Sequence, residues 1–403
     1  MHTLFEFLIC VCYQFVVTLL RLLLEETSMA QLTQLTISGF KSISSEHPIC
    51  LDIGRITIIL GANGAGKSNI ISFLKMMNYM MSGSFSAYVA QNGGCQSLLH
   101  YGPKSTSSIK GNLKFESKYY KDNYDFTLSF AAPDNLVVAQ ELVEFVSVND
   151  TNNRGSRRIE LEQLYRESAL SKPSNSKTLQ IIRNILSRCK VYQFHDSSSS
   201  AGMRNSCDVH ADNYLYSEAG NIAAFLYRLK RDYPNHYEQI VSYVRLIVPQ
   251  FHDFILEPDS VGRIMLKWTD TTGSDYIYTP MQFSDGSMRF IALATLLLQP
   301  RDIMPHVIII DEPELGLHPY AITQLAEMIK EAAENTQVII ATQSPALVDE
   351  FEANQVVVVE TNDTGELIYS TARRLDTDSL EGWLNSYTIS ELWEKNIIGG
   401  RPQ

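Results

Sequence analysis

Cysteine is sparse: six residues in a chain of 403, at Cys10, Cys12, Cys50, Cys95, Cys189 and Cys207, with no repeated CxxC pairs. Such spacing supports neither a disulfide framework nor a zinc ribbon, and fits a reducing cytoplasm. Positive charge is also in deficit, since 33 Lys plus Arg against 45 Asp plus Glu leave a net charge of −12. A balance of that sign disfavours sequence-blind coating of nucleic acid and leaves room only for a local basic groove. Glycine (21) and proline (14) are not enriched, and hydrophobic residues make up 45%, which excludes a disordered or collagen-like chain. There is no internal repeat, no heptad run of coiled-coil length and no low-complexity tract beyond Ser197 to Ser200. The length fits one large α/β domain with an insertion, or two domains.

Long apolar runs are missing except at the start, where Phe7 to Leu20 is followed by Arg21 and Leu22-Leu23-Leu24. That stretch is shorter than the roughly 20 residues needed to cross a bilayer. Gln14 and Thr18 dilute it, and it lacks the basic n-region and small-residue cleavage site of a signal peptide. The favoured reading makes residues 1–28 an upstream extension with Met29 as the natural start; a membrane-surface helix or a spanning anchor are the alternatives. Residues 29–160 read as an N-terminal lobe of short strands interrupted once by a helix from Lys67 to Met81. Residues 161–275 read as a helical insertion, with apolar residues at three- and four-residue steps over Asn221 to Tyr233 and Tyr237 to Ile247. Residues 276–403 alternate strands and helices, as a parallel sheet requires.

The strongest motif is Gly61-Ala62-Asn63-Gly64-Ala65-Gly66-Lys67-Ser68, placed between the strand-like Ile56 to Leu60 and a helix. It is a complete P-loop in its required context. Its glycines let backbone N–H groups turn inward around phosphate oxygens, Lys67 reaches the terminal phosphates, and the Ser68 hydroxyl suits Mg²⁺. Asn69 completes the expected binding set. Far downstream, Val307 to Ile310 is an apolar run fit for a strand buried on both faces, and it ends in Asp311-Glu312-Pro313. Acids at that end face the ligand crevice of a doubly wound sheet. Asp311 is expected to hold Mg²⁺ through water, as in a Walker B strand, and Glu312 to polarise the attacking water as general base. A third element, Ser284-Asp285-Gly286 within Phe283 to Arg289, opens an apolar helix about 25 residues before the Walker B strand. A helix N-terminus suits an anion, and this turn resembles the ABC signature.

Taken together, the chain resembles the SMC/RecF/OLD-type branch of ABC-class ATPases, often called AAA family ATPases in bacteria, over most of residues 31 to 403. The resemblance is carried by Ile37-Ser38-Gly39-Phe40-Lys41-Ser42-Ile43, the P-loop, the Phe283 to Arg289 turn, Ile310-Asp311-Glu312-Pro313-Glu314 with Leu315-Gly316-Leu317-His318-Pro319, and Ala341-Thr342-Gln343-Ser344-Pro345. It implies an α/β P-loop NTPase of ABC type with an antiparallel β subdomain and an inserted helical subdomain. It implies ATP and Mg²⁺ as ligands, Lys41 and Ser42 near the nucleotide, Glu314 to Pro319 as a D-loop, and a homodimer that closes around ATP with each signature on the other protomer's nucleotide. Two departures stand out: Asp285 occupies a position where transporters carry Gly, and Gln343 one where most relatives carry His. Glutamine can hydrogen-bond a γ-phosphate but cannot shuttle a proton.

The family implies a conformational switch in bacterial DNA repair or antiphage defence. OLD proteins carry a nuclease domain, whereas this chain runs only about 60 residues past Gln343, so the effector is expected to be a separate, nuclease-like polypeptide. Nucleic acid is a candidate partner and a membrane is not expected. A transporter-type subunit and a nucleotide-binding scaffold with little hydrolysis are the alternatives. Weaker features are a His195-Asp196 and Cys207 to Asp212 cluster with no zinc-like spacing, and a basic group of Arg154, Arg157, Arg158, Lys172, Lys177, Arg183, Arg188 and Lys190, whose favoured reading is a solvated face with a nucleic-acid surface as the alternative. Two Q-loop candidates, Gln91 and Gln96, and a tail containing Trp383, Tyr387 and Trp393, read as a packed helix with a partner-docking surface as the alternative, complete the set.

Overall fold

The computed structural model describes residues 30–148, 156–161 and 166–401. The expectations for residues 1–28 and for Arg154 lie outside the described residues. The strands are β1 (Gln31–Ser38), β2 (Ile49–Asp52), β3 (Ile56–Leu60), β4 (Ser108–Glu116), β5 (Tyr120–Ala131), β6 (Asn135–Ser147), β7 (Arg157–Glu160), β8 (Cys189–Tyr192), β9 (Cys207–Asp208), β10 (Phe251–Ile255), β11 (Arg263–Ile264), β12 (Lys267–Asp270), β13 (Val307–Asp311), β14 (Gln337–Thr342), β15 (Val356–Asp363) and β16 (Ile368–Arg374). The α-helices are α1 (Lys67–Met81), α2 (Phe85–Gln91), α3 (Gly94–Leu98), α4 (Lys177–Ser187), α5 (Ile222–Asp232), α6 (Pro234–Ile247), α7 (Asp285–Leu297), α8 (Pro319–Ala333), α9 (Pro345–Val348), α10 (Thr377–Leu384) and α11 (Ile389–Glu394).

Two six-stranded sheets carry the fold. The first, in order β2-β1-β4-β5-β6-β7, is antiparallel throughout, and the second runs β16-β15-β3-β14-β13-β8. In the second, neighbours from β15 to β8 are parallel and only β16 is reversed. The three central strands read Ile-Thr-Ile-Ile-Leu, Gln-Val-Ile-Ile-Ala-Thr and Val-Ile-Ile-Ile-Asp, and every residue of them is buried. Alternate side chains enter different cores. Ile58, Ile308, Ile310 and Ile340 pack with α6, α7 and α8, whereas Ile59, Ile309 and Ile339 pack with α1 and the antiparallel sheet. A strand covered on both faces has no polar alternation to keep, which is why these segments are unbroken apolar runs.

The span 161–275 differs from a helical insertion. Cys189–Tyr192 is the edge strand of the parallel sheet, paired with β13, and two short antiparallel ribbons, β9 with β11 and β10 with β12, accompany α4, α5 and α6. Its four residues include Lys190, too short and too polar a segment to register as a strand by pattern. Residues 29–160 likewise carry the short helices α2 and α3 besides α1. The tail forms two helices rather than one: Trp393 is buried in the core, while Trp383 is 45% exposed.

Gln337 joins the two sheets. At 3% exposure, its Oε1 accepts from the Leu32 N–H at 2.8 Å, and its Nε2 donates to the Leu32 carbonyl at 2.8 Å and the Gly54 carbonyl at 3.1 Å. Gln337→Leu preserves volume but strands these buried backbone groups, each worth about 1–3 kcal/mol when unsatisfied. The variant is expected to unfold at lower denaturant, by about 3 kcal/mol, in urea titrations followed by circular dichroism, with an unchanged slope.

Candidate nucleotide site

The P-loop runs from the end of β3 into α1. Gly64 and Gly66 have φ of 81° and 115°, the left-handed geometry that turns successive N–H groups to one side. At Gly66 a Cβ would lie 2.2 Å from the Ser370 Oγ and 3.0 Å from the Ser42 Oγ, so glycine is required on steric grounds too. The two serines share a 2.7 Å hydrogen bond, the Ser370 hydroxyl donates to the Ala65 carbonyl at 2.6 Å, and the Asn69 amide donates to Ser42 at 2.6 Å. Ser42 and Asn69 thus brace the loop, and Ser370, on β16, joins them without any signal in the sequence. Lys41 takes another direction, donating to the Ser72 hydroxyl on α1 at 2.7 Å.

Lys67 is 5% exposed, and its ammonium donates to the Gly61 and Ala62 carbonyls at 2.6 and 3.0 Å. Burial holds it below the usual lysine range, against the opposing pull of Glu312, Asp311 and Glu314. P-loop lysine and Walker B acids, far apart in sequence, therefore share one electrostatic neighbourhood. The cause is register: β14 pairs Thr342 with Leu60 on one side and Ala341 with Asp311 on the other. Their carboxyl ends open together, as expected for a ligand crevice in such a sheet.

Around the acids the hydrogen bonding is specific. Asp311, 7% exposed, accepts from the Gln193 amide at 3.1 Å, and the His195 Nε2 lies 3.0 Å from the Asp311 carbonyl. Glu312 has a positive φ of 45°, uncommon for a side chain of its size, and accepts from the Gln343 amide at 3.1 Å. Glu314 accepts from the Thr342 hydroxyl at 2.6 Å, while its Oε2 is buried without a partner; burial raises its carboxyl above the ordinary range. Ser344 caps α9 by accepting from the Leu347 N–H, with Pro345 at the first position. Gln193 and His195 both follow β8, so their role was hidden with that strand.

The signature turn is exposed at the start of α7. Ser284 caps the helix, accepting from the Ser287 N–H at 3.1 Å. Asp285 is held by Arg204, which is 4% exposed and donates to Asp285 at 2.8 Å, the Ser197 carbonyl at 2.7 Å, the Phe283 carbonyl at 3.1 Å and the Pro280 carbonyl. The carboxylate that departs from the transporter pattern is thus neutralised within its own chain. A Cβ on Gly286 would sit 2.6 Å from the Gly316 carbonyl, so signature and D-loop touch. Arg289 donates to the carbonyls of Phe194 at 3.1 Å, His195 at 2.8 Å and Leu315 at 2.9 Å. Arg204 carries no signal in the sequence and Arg289 shows there only as the end of the signature turn, because their partners are backbone carbonyls and a carboxylate brought to them by the fold.

The donor set fits a magnesium nucleotide. Asp311 and Ser68 offer the hard oxygens Mg²⁺ takes, and three carboxylates facing one buried ammonium leave a deficit of positive charge that a divalent cation would fill. Among the described residues no group of three or more His, Cys, Asp or Glu is arranged to hold a metal by itself. His195 is engaged with Asp311, Asp208 with the His210 N–H, and Asp212 with Arg231. Gln91 and Gln96 are both exposed on short helices. Of the basic group, Arg188 donates to the Met304 carbonyl and Lys190 to Asn78, Arg183 is half-buried, and Arg157, Arg158, Lys172 and Lys177 are exposed.

Comparison with known proteins agrees with this geometry. In fold, the chain resembles an SMC head bound to the C-winged helix domain of ScpA, with a TM-score of 0.54 at 15% identity over 86% of this chain and 99% of that one. It also resembles an Smc head domain with an extended coiled coil, from Pyrococcus furiosus, with a TM-score of 0.51 at 14% identity over 89% and 99%. Among curated proteins, a "Putative ABC transporter ATP-binding protein" of Mycoplasma genitalium is 24% identical over 44% of this chain. An energy-coupling factor transporter ATP-binding protein of Ligilactobacillus salivarius is 32% identical over 28% of it. The aligned regions span only 52% and 36% of those two relatives. Residues 56–349 match the profile of a family described as "AAA domain, putative AbiEii toxin, Type IV TA system", and the chain belongs to this AAA-domain family, with a fold like that of the SMC heads.

Proposed function

We propose that the protein binds and hydrolyses ATP with Mg²⁺, and that two copies close around two nucleotides as a conformational switch acting on a separate, nuclease-like effector in bacterial DNA repair or antiphage defence. The convergence of Lys67, Asp311, Glu312 and Gln343 at the carboxyl ends of adjacent strands carries the reading. Lys67 and the N-terminal turn of α1 would hold phosphates, Ser68 and Asp311 would hold Mg²⁺, and Mg²⁺ would draw charge off the phosphoryl oxygens. Glu312, kept in place by the Gln343 amide, would orient and deprotonate the attacking water.

Dimerisation is supported by what the signature face exposes. Ser284 and Asp285 are open to solvent, beside the D-loop residue Leu315 at 42% exposure and Tyr320 at 50%. An anion-receptive helix start next to exposed apolar side chains is what a second protomer's nucleotide and surface would cover. Among the described residues no helix is long and apolar enough to cross a membrane; a cytoplasmic setting belongs to the proposal and follows from the scattered cysteines. The transporter-subunit reading draws on the names of the two curated relatives, and stable recovery with a membrane fraction would favour it.

Glu312→Gln is expected to retain ATP binding, lose hydrolysis and accumulate a closed dimer in ATP and Mg²⁺, read by size exclusion with light scattering; a monomeric variant overturns the sandwich. Lys67→Ala is expected to lose ATP binding instead. Gln343→Leu removes the donor to Glu312 and should lower kcat by about tenfold with little change in KM. In steady-state phosphate release, wild-type turnover should be nearly flat over about pH 6 to 8, whereas Gln343→His should introduce a titration near about 6.5. Arg204→Met should leave ATP affinity intact but weaken ATP-driven association by at least about tenfold, because charged hydrogen bonds of about 1.5 kcal/mol or more hold the signature turn. Nucleotide binding and sedimentation on the same sample separate the two effects.

A further inference from the structure

Away from the nucleotide site, a groove of about 990 Å³ opens between the outer edge of the antiparallel sheet and the start of α4. Its sheet side is set by register, since β6 pairs Phe145 with Asp122 of β5 and with Arg157 of β7. Tyr120 and Phe145 lie with ring centroids 5.0 Å apart, and Tyr119 is 6.2 Å from Tyr120. Tyr120 is 40% exposed, so an aromatic face is open to a ligand.

The charge on this groove opposes that of the whole molecule. Arg157 and Arg158 are exposed in its wall on a chain of net charge −12. Arg158 is 3.7 Å from Glu160, an exposed pair that costs little to break. The opposite wall is the N-terminal end of the eleven-residue α4, where the Ser176 side chain makes no capping hydrogen bond and the dipole is positive. The acid beside Phe145, Asp122, is only 4% exposed and its Oδ1 has no hydrogen-bond partner. Burial pushes its carboxyl up to about 6, which lessens its opposition to an anion below that pH.

We propose that this groove binds a single strand of nucleic acid, with bases stacked on Tyr120 and Phe145 and phosphates held by Arg157, Arg158 and the α4 N-terminus. Stacking on an aromatic side chain needs an unpaired base face, which a duplex withholds. Exposed arginines on an acidic protein favour an anionic polymer over an apolar peptide. The site deepens the switch reading by naming what is sensed, yet binding here does not require ATP turnover.

The test is fluorescence anisotropy of a labelled twenty-nucleotide oligo-thymidine with the full chain, at low and at physiological salt, with a duplex of equal length as competitor. Tyr120→Ala is expected to weaken binding about five- to a hundredfold. Arg157→Glu with Arg158→Glu should weaken it further and lower the salt slope by about two. ATP binding by these surface variants should match wild type, which checks the fold. Lys67→Ala should keep its oligonucleotide affinity, so that failure of the ATPase reading and of this one are told apart. Absence of wild-type binding, variants that bind as wild type does, or a duplex that competes as well as the single strand would each overturn the proposal.

Discussion

Backbone pairing among β3, β14 and β13 sets Ile59, Ala341 and Asp311 at one level of the parallel sheet, with Leu60 and Thr342 one residue beyond, and everything at the nucleotide site depends on that register being fixed. These strands are buried on both faces, so a slip would exchange side chains between two differently packed cores and pull Gln337 away from the Leu32 and Gly54 backbone groups. Register is consequently held by two cores at once. The P-loop, Glu312 and Gln343 each begin within a residue of a strand end, where the backbone is still rigid but the side chains reach the crevice.

Electrostatics at the crevice follow from that placement. Asp311, Glu312 and Glu314 all act electrostatically on one buried ammonium, an arrangement unfavourable for a bare triphosphate and favourable for one that brings a divalent cation. The hydrogen bonds separate the three acids by role. Asp311 is oriented from β8, Glu312 is held by Gln343 at the end of β14, and Glu314 is drawn inward by Thr342. One strand end thus tethers two carboxylates through consecutive residues.

The segment after β8 links this crevice to the signature. Gln193 and His195 direct side chains at Asp311, while the carbonyls of Phe194 and His195 receive the guanidinium of Arg289 from α7. Arg289 also holds the D-loop carbonyl of Leu315, and Arg204 fixes the turn that precedes α7. A displacement at Asp311 would therefore be felt at the surface where a second protomer is proposed to dock. The Arg204 guanidinium explains why Asp285 is tolerated in the signature: the carboxylate is already paired.

By itself the sequence determined the α/β class, the P-loop, the Walker B strand, the helix after Ser284 and the capped turn at Ser344, because each rests on local rules. Buried parallel strands need continuous apolar runs, phosphate loops need glycines at fixed spacing, and caps need a short polar side chain followed by proline. Tertiary structure alone decided the roles of Gln193, Arg204, Arg289 and Ser370, and turned Lys41 onto Ser72 of α1. It also placed Cys189–Tyr192 as an edge strand and set Gln343 against Glu312. Most of those outcomes hang on groups far apart in the chain, up to 328 positions for Ser42 and Ser370, or on a four-residue strand whose identity comes from its partner β13. Propensity and spacing act over a few residues, whereas the reach of a guanidinium or an amide is settled only when sheets and helices have packed.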